Sequence, residues 1–183
     1  MKVSLPLNLN IDEEIILRSL CEEDADLLFT LVDQNRLYLR EFLGWLDNNT
    51  LKEDTVAFLR DQQKQLDQMK VVHIGILYNH QLVGVISLDA IDQLNKSASI
   101  GYWISKHYQG RGIMTKSTKS LIKYAFESLS LHRIEIKCAV HNIKSQKIVE
   151  TLGFSKEGLL KEAISHYGEY FDAYIYGLIN PLN

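Results

Sequence analysis

The sequence predicts an α+β fold, a mixed and mostly antiparallel sheet with flanking helices. Three observations lead there. Short runs whose apolar residues alternate at period two lie between runs whose apolar residues recur at three- and four-residue steps. Turn residues such as Asn79-His80 join neighbouring strand-like runs. Finally, Ala98-Ser99-Ile100-Gly101-Tyr102-Trp103-Ile104 leads through Gln109-Gly110-Arg111-Gly112 to a stripe of Met114, Thr118, Leu121, Ile122, Ala125 and Leu129. That succession is a strand, a glycine loop and an amphipathic helix.

Taken in order, Ile15 and Leu17 mark a short strand and residues 23–40 a helix. Asn49-Thr50 begins a second helix that runs to about Met69, with Glu53 as the capping-box partner of Thr50. Residues 71–78 and 81–91 pair as antiparallel strands, and Asp92-Gln93-Leu94-Asn95 turns the chain into the strand ending at Ile104. After the glycine-loop helix, residues 132–140 form a strand with Ile134, Ile136, Cys138 and Val140 on one face. A short helix over 143–152 ends at Gly153, a natural left-handed terminator. Residues 154–164 and 170–179 close as a hairpin around 166–169.

A length of 183 residues, 46% of them hydrophobic, suits one domain over 1–183 with a sizeable core. No apolar run approaches the roughly eighteen residues that span a bilayer. Met1-Lys2-Val3-Ser4-Leu5-Pro6 lacks the apolar core and cleavage site of a signal peptide. Neither a membrane partner nor export is expected. Cys21 and Cys138 fit no metal spacing and suit a reducing cytoplasm, although a disulfide between them stays open at this stage. His73, His80, His107, His132 and His141 are irregularly spaced, so no metal is expected. A formal charge of −3 without a basic stripe argues against nucleic acid as a ligand. Acidic residues gather early, at Asp12, Glu13, Glu14, Glu22, Glu23, Asp24 and Asp26. They read as a solvated face with helix-start charges, or alternatively as a negative mouth for basic peptides.

The glycine loop is where anion chemistry belongs. Small residues let backbone N–H groups approach a phosphate, and the first turn of the following helix leaves its own N–H groups unpaired. A P-loop would need Lys-Ser or Lys-Thr after the last glycine, where Ile113-Met114 stands, and a dinucleotide fingerprint would need a third glycine at Thr115. A tight turn with no ligand is the remaining bland alternative.

Together, Gly101-Tyr102-Trp103-Ile104, the loop Gln109-Gly110-Arg111-Gly112, and Asn142-Ile143-Lys144-Ser145 leading to Gly153-Phe154 resemble the GNAT superfamily of N-acetyltransferases. The family signature Gln/Arg-x-x-Gly-x-Gly/Ala is matched at Gln109 and Gly112, with Met114 in the final small position. Leu17-Arg18-Ser19-Leu20 with Glu22-Glu23-Asp24-Ala25, and Gly168-Glu169-Tyr170-Phe171-Asp172, resemble the opening and closing elements of the Rim-type members, which acetylate N-terminal amines of ribosomal proteins. The resemblance runs in order from about residue 13 to residue 180. It implies a GNAT-like fold and acetyl-CoA as cosubstrate. The coenzyme pyrophosphate would sit against N–H groups of Gly110, Arg111, Gly112, Ile113, Met114 and Thr115, with the Arg111 side chain either on a phosphate or in solvent. The pantetheine arm would pair with the backbone of Trp103 and Ile104, and an N–H there would polarise the thioester carbonyl. Asn142 would cap its helix and touch the arm. Many relatives carry a tyrosine, as acid for the leaving thiolate, where this chain has Val149. Rim-type members instead use a serine at the position of Ser145.

The resemblance leaves the general base unresolved. Some Rim-type relatives place a glutamate where Ile164 stands; Glu162, two residues off and on the same face of a regular strand, is one substitute, with Glu169, Asp172, Tyr170 and His166 nearby. Asp172 more naturally ties the hairpin together. An α-amino group, with a pKa of about 7.7–8.0, needs far less help than a lysine near 10.4. Tyr38, Phe42 and Trp45 are spaced for one helix face and core packing, or for lining a substrate channel. Three functions follow: acetylation of the N-terminal amine of a ribosomal or other protein; acetylation of a small amine such as an aminoglycoside or polyamine; or a coenzyme-binding regulatory protein without turnover. By the same resemblance the protein is expected to be a homo-oligomer, and its two cysteines suit a cytoplasmic one.

Overall fold

In a computed structural model, residues 7–181 are described; the reading of residues 1–6 lies outside them. Eight strands, β1 (Asn8–Asn10), β2 (Ile15–Ser19), β3 (Val72–Tyr78), β4 (Gln81–Asp92), β5 (Ser97–Ile104), β6 (Arg133–Ala139), β7 (Ser155–His166) and β8 (Glu169–Ile179), form one sheet in the order β1-β2-β3-β4-β5-β6-β8-β7. Every neighbouring pair is antiparallel except β5 with β6. That one parallel pair needs a crossover, which α4 (Ile113–Glu127) provides.

The sheet separates two cores. On one face α4 and α5 (Ile143–Thr151) pack over Ile74, Ile86, Ile100, Ile134 and Tyr176. On the other, α1 (Ala25–Gln34), α2 (Arg36–Leu39) and α3 (Lys52–Asp67) bury Leu28, Val32, Leu39 and Leu59 against Val85. The stripe that predicted α4 is its buried face, with Leu121 and Ala125 at 0% exposure. Leu121 alone is worth about 1.5–3 kcal/mol of apolar burial.

Several expectations are corrected. The helix expected over 23–40 is a short 3-10 turn at Glu22–Asp24 followed by α1 and α2, parted at Asn35. Asn35 stabilises this break: its Nδ2 donates to Leu31 O at 2.8 Å while its Oδ1 accepts from Lys106 N at 3.1 Å, stitching the helices to the segment after β5. The next helix starts one residue later than expected, so Asp54 rather than Glu53 accepts from the backbone N–H groups of Thr50 and Leu51, both at 2.9 Å. It ends at Asp67, short of Met69, whose φ of 53° is incompatible with a helix. Strand β1 was not foreseen. Asn79 and His80, both at positive φ, make the tight turn between β3 and β4.

In the closing hairpin Leu160 pairs with Ala173 and Ile164 with Phe171, so three residues of β7 oppose Asp172 alone. The bulge puts Glu162 at φ 49° and cancels the alternation that set it on the face of Ile164. Asp172 ties the bulge down, accepting from Glu162 N at 3.0 Å and Lys161 Nζ at 2.8 Å. Both cysteines are free, Cys138 buried and Cys21 half-buried.

Five of the seven early acidic residues are engaged within the fold. Asp12 pairs with Lys116, Glu22 with Arg60, Asp24 with Arg18 and Asp26 with Lys52, while Glu14 accepts from the Tyr78 hydroxyl. No helix among the described residues is long and apolar enough to cross a membrane.

Candidate functional site

Strands β5 and β6 are in register only from Ser97 to Ser99, against Arg133 to Glu135, and then part. A cavity of about 720 Å³ occupies the gap. The N–H of Ser105 donates to Val83 O on the β4 side. Successive N–H groups along a strand point to opposite edges, so that of Ile104 faces the gap. The sequence candidates Trp103, Ile104, Gln109, Gly110, Gly112, Ile113, Met114, Thr115, Asn142 and Ser145 all line this cavity.

Arg111 does not. Its guanidinium lies 5.2 Å from the Tyr108 ring centroid and donates to His107 O at 3.2 Å, turned onto the outer surface. Gly110 and Gly112 stand at φ 73° and 75°, a left-handed region in which side chains are strained, and a Cβ at either would meet open space. The glycines are therefore required by conformation, and the room beside them is left for something else. Gly112 precedes α4 directly, and no side chain caps that helix. Its first N–H groups are left without intrahelical partners at the cavity wall.

Helix α5 is capped as expected: Asn142 Oδ1 accepts from Ser145 N at 3.1 Å. This brings the Ser145 hydroxyl to a polar cluster in the cavity wall. Ser145 Oγ lies 2.9 Å from the Tyr102 hydroxyl and 3.2 Å from Cys138 Sγ, and Tyr102 also reaches Ser145 O at 3.3 Å. Burial pushes both the Tyr102 phenol and the Cys138 thiol above their usual ranges, so both keep their protons near neutrality. Tyr102 and Cys138 had no assigned role from sequence. Alternation with Ile100 and Ile104 along β5 would have put Tyr102 on the α5 side.

Gln109 spans the cavity, donating to the Tyr38 hydroxyl of α2 and accepting from Lys144 Nζ of α5 at 2.8 Å. Part of the cavity wall is aromatic, a chain of ring contacts from Tyr38 through Phe42, His141 and Phe171 to His166. Tyr38 and Phe42 line it together with His141, Ile164, His166 and Phe171, whereas Trp45 is 40% exposed elsewhere. The spacing that suggested one helix face therefore splits: two of its three rings line the channel, because the chain leaves helical conformation after Leu39. Among the described residues no group of three or more His, Cys, Asp or Glu side chains is arranged to hold a metal ion.

With this geometry in hand, the chain can be compared with known proteins. A family profile described as acetyltransferase (GNAT) domain matches residues 14–155. YdaF of Bacillus subtilis (strain 168) is 36% identical over 173 residues, covering 92% of this chain and 93% of that one. The ribosomal-protein-serine acetyltransferase of Escherichia coli (strain K12) is 31% identical over 171 residues, covering 93% and 96%. The structure of RimL, a ribosomal L7/L12 α-N-protein acetyltransferase, in complex with coenzyme A superposes with a TM-score of 0.93 at 28% identity, covering 97% of this chain and all of the other.

Proposed function

The chain belongs to the acetyltransferase (GNAT) family, and on that premise we propose that it moves the acetyl group of acetyl-CoA to the N-terminal α-amine of a ribosomal or other protein. The observation that carries this reading is the cavity at the β5–β6 gap, where an uncapped helix N-terminus behind two left-handed glycines and a serine hydroxyl share one space. End-to-end similarity to the E. coli ribosomal-protein-serine acetyltransferase supports the choice of acceptor.

The residues suit the coenzyme. N–H groups over 110–115 would hold its pyrophosphate, helped by the positive end of α4. The free backbone edge of β5 would take the pantetheine arm as an added strand, and the Ile104 N–H would stabilise charge growing on the thioester oxygen. Asn142 would touch the arm with the amide nitrogen left over from capping. Ser145 would donate a hydrogen bond to the departing sulfur while Tyr102 holds the hydroxyl in place. An α-amine suits this site better than a lysine, because roughly a tenth of it is neutral at pH 7 and it needs only a modest base. The reading also carries a cytoplasmic location and self-association.

The test incubates the protein with isotope-labelled acetyl-CoA and a ribosomal-protein extract, then maps the label by peptide mass spectrometry. Label on one or a few N-terminal residues is the expected result. Label confined to small amines, or coenzyme bound without any transfer, would overturn the acceptor or the turnover, respectively.

A further inference from the structure

We infer that His141 is the group that takes the proton from the attacking amine; this rests on the transferase reading above. The glycine loop and Ser145 mark the donor part of the cavity, which leaves the aromatic part to the acceptor. There the position at which some Rim-type relatives carry a glutamate is Ile164, and the bulge in β7 sends Glu162 to an exposed position outside the cavity wall. The proton must go elsewhere.

Besides its tyrosines and Cys138, the titratable groups of the cavity wall are Glu41 from the turn after α2, His166 from β7, Lys137 from β6, Lys144 and Lys147 from α5, and His141 from the loop between β6 and α5; a lysine ammonium has no lone pair to offer. Lys144 is engaged with Gln109. Glu41 is exposed on the turn after α2, and no ring among the described residues packs on it to orient its carboxylate. His166 has its Nε2 buried without a partner, so that nitrogen is closed to an incoming amine.

His141, like Glu41, is exposed, but its ring is held by rings from two other elements. Its ring is stacked against Phe42 at 6.3 Å and 20°, and lies edge-on to Phe171 at 5.0 Å. Among the described residues its nitrogens have no hydrogen-bond partner, so the ring is positioned by apolar contacts alone and keeps a lone pair for the cavity. Its backbone is fixed as well: His141 O accepts from Ile143 N at 3.0 Å, in the same turn that caps α5 and orients Ser145. Imidazole is the side chain whose ordinary titration falls nearest neutral pH, as a general base requires. The step then balances. The amine nitrogen bonds to the carbonyl carbon, the carbon–sulfur bond breaks with its electron pair on sulfur, and one N–H proton passes to His141. The thiolate, hydrogen-bonded by Ser145, takes a proton from water, and His141 returns its own to water.

The test measures thiol release by wild type and His141→Gln on lysine-free peptides with varied N-terminal residues and on spermidine, with coenzyme binding followed by calorimetry. The expected result is a kcat about 100-fold lower in the variant, the low end for a lost general base. Coenzyme affinity should stay within about threefold, which is under 1 kcal/mol. The wild-type kcat should carry an acid limb that His141→Gln lacks. Imidazole added to His141→Ala should restore part of the rate. An unchanged kcat and pH profile in His141→Gln overturns this inference and leaves the transferase reading standing. Loss of coenzyme binding along with rate makes His141 structural and also overturns it. No thiol release by wild type on any amine removes the transferase reading, and this inference falls with it.

Discussion

The residue that most directly tests the proposed chemistry is Ser145, because its hydroxyl is already held by two protonated neighbours, Tyr102 and Cys138. A serine cannot itself end as an anion at neutral pH, so its role is to donate a hydrogen bond while a proton arrives. Ser145→Ala should therefore lower kcat by about 100-fold, with coenzyme binding nearly unchanged in calorimetry. Tyr102→Phe removes only the group that positions that hydroxyl; one lost hydrogen bond of about 1 kcal/mol corresponds to roughly fivefold in rate. A Ser145→Ala rate equal to wild type would take the serine out of the mechanism. Away from the site, Asp24 is the residue to watch. It is 6% exposed, and Arg18 donates to both its oxygens at 2.7 and 2.8 Å. Burial alone would raise its pKa, but the Arg18 bonds together with those from Cys21 outweigh burial and hold it below the usual aspartate value. A carboxylate lowered in the folded state contributes stability that is full above about pH 3.9 and lost as pH falls through the folded value. Asp24→Asn should cost about 2 kcal/mol at pH 7, between an exposed and a fully buried pair. Urea denaturation should show the gap to wild type closing as the pH falls below the ordinary aspartate value of about 3.9 and through the lower folded one.

At the scale of elements, periodicity found the strands and helices whose faces are set by burial, and it missed the places where a polar side chain or a bulge overrides the period. Strand β5 and helix α4 carry their signal in every second or every third and fourth residue; β5 appears within a residue of its expected bounds, and α4 ends at Glu127, two residues before the last apolar residue of its stripe, Leu129. The break at Asn35 has no such signal, because what stabilises it is a bond to Lys106, 71 positions away. The bulge in β7 is equally silent: Glu162 looks like an ordinary alternating residue until its pairing with Asp172 is known. Close contact between elements carries a further prediction. At Gly84 of β4 an added Cβ would stand 2.5 Å from Trp103 O and 3.0 Å from Ile104 Cα, both backbone atoms that cannot swing away. Gly84→Ala must push β5 sideways at the end that faces the cavity. It should cost about 1–3 kcal/mol in denaturant unfolding. It should also weaken coenzyme binding, although Gly84 is not among the cavity-lining residues.

For the whole molecule the consequential feature is how little joins the two parts of the sheet. Strands β1 to β5 meet β6, β8 and β7 through three register pairs, with α4 bridging above and Gln109 strapped between Tyr38 and Lys144 across the opening. The order of motifs made the family legible and, through it, the candidate residues. The Tyr102–Ser145–Cys138 cluster and the aromatic acceptor wall were not legible, since both are built from strands and loops that meet only in three dimensions. A ligand filling this gap would touch both parts and bind only the folded chain. At a concentration 100 times its Kd it would stabilise the protein by about 2.7 kcal/mol. For a chain of this length that corresponds to a rise in Tm of roughly 5–10 °C. Acetyl-CoA should give that shift in a thermal scan. In Gly112→Asp the left-handed backbone is strained by about 1–2 kcal/mol, lowering the unliganded Tm by a few degrees. The added carboxylate meets the same N–H groups that the pyrophosphate would need, so the coenzyme-dependent rise should be lost. A variant that melted slightly earlier but kept the full rise would show that the phosphates bind elsewhere, and the assignment of the glycine loop would fail while the fold stood.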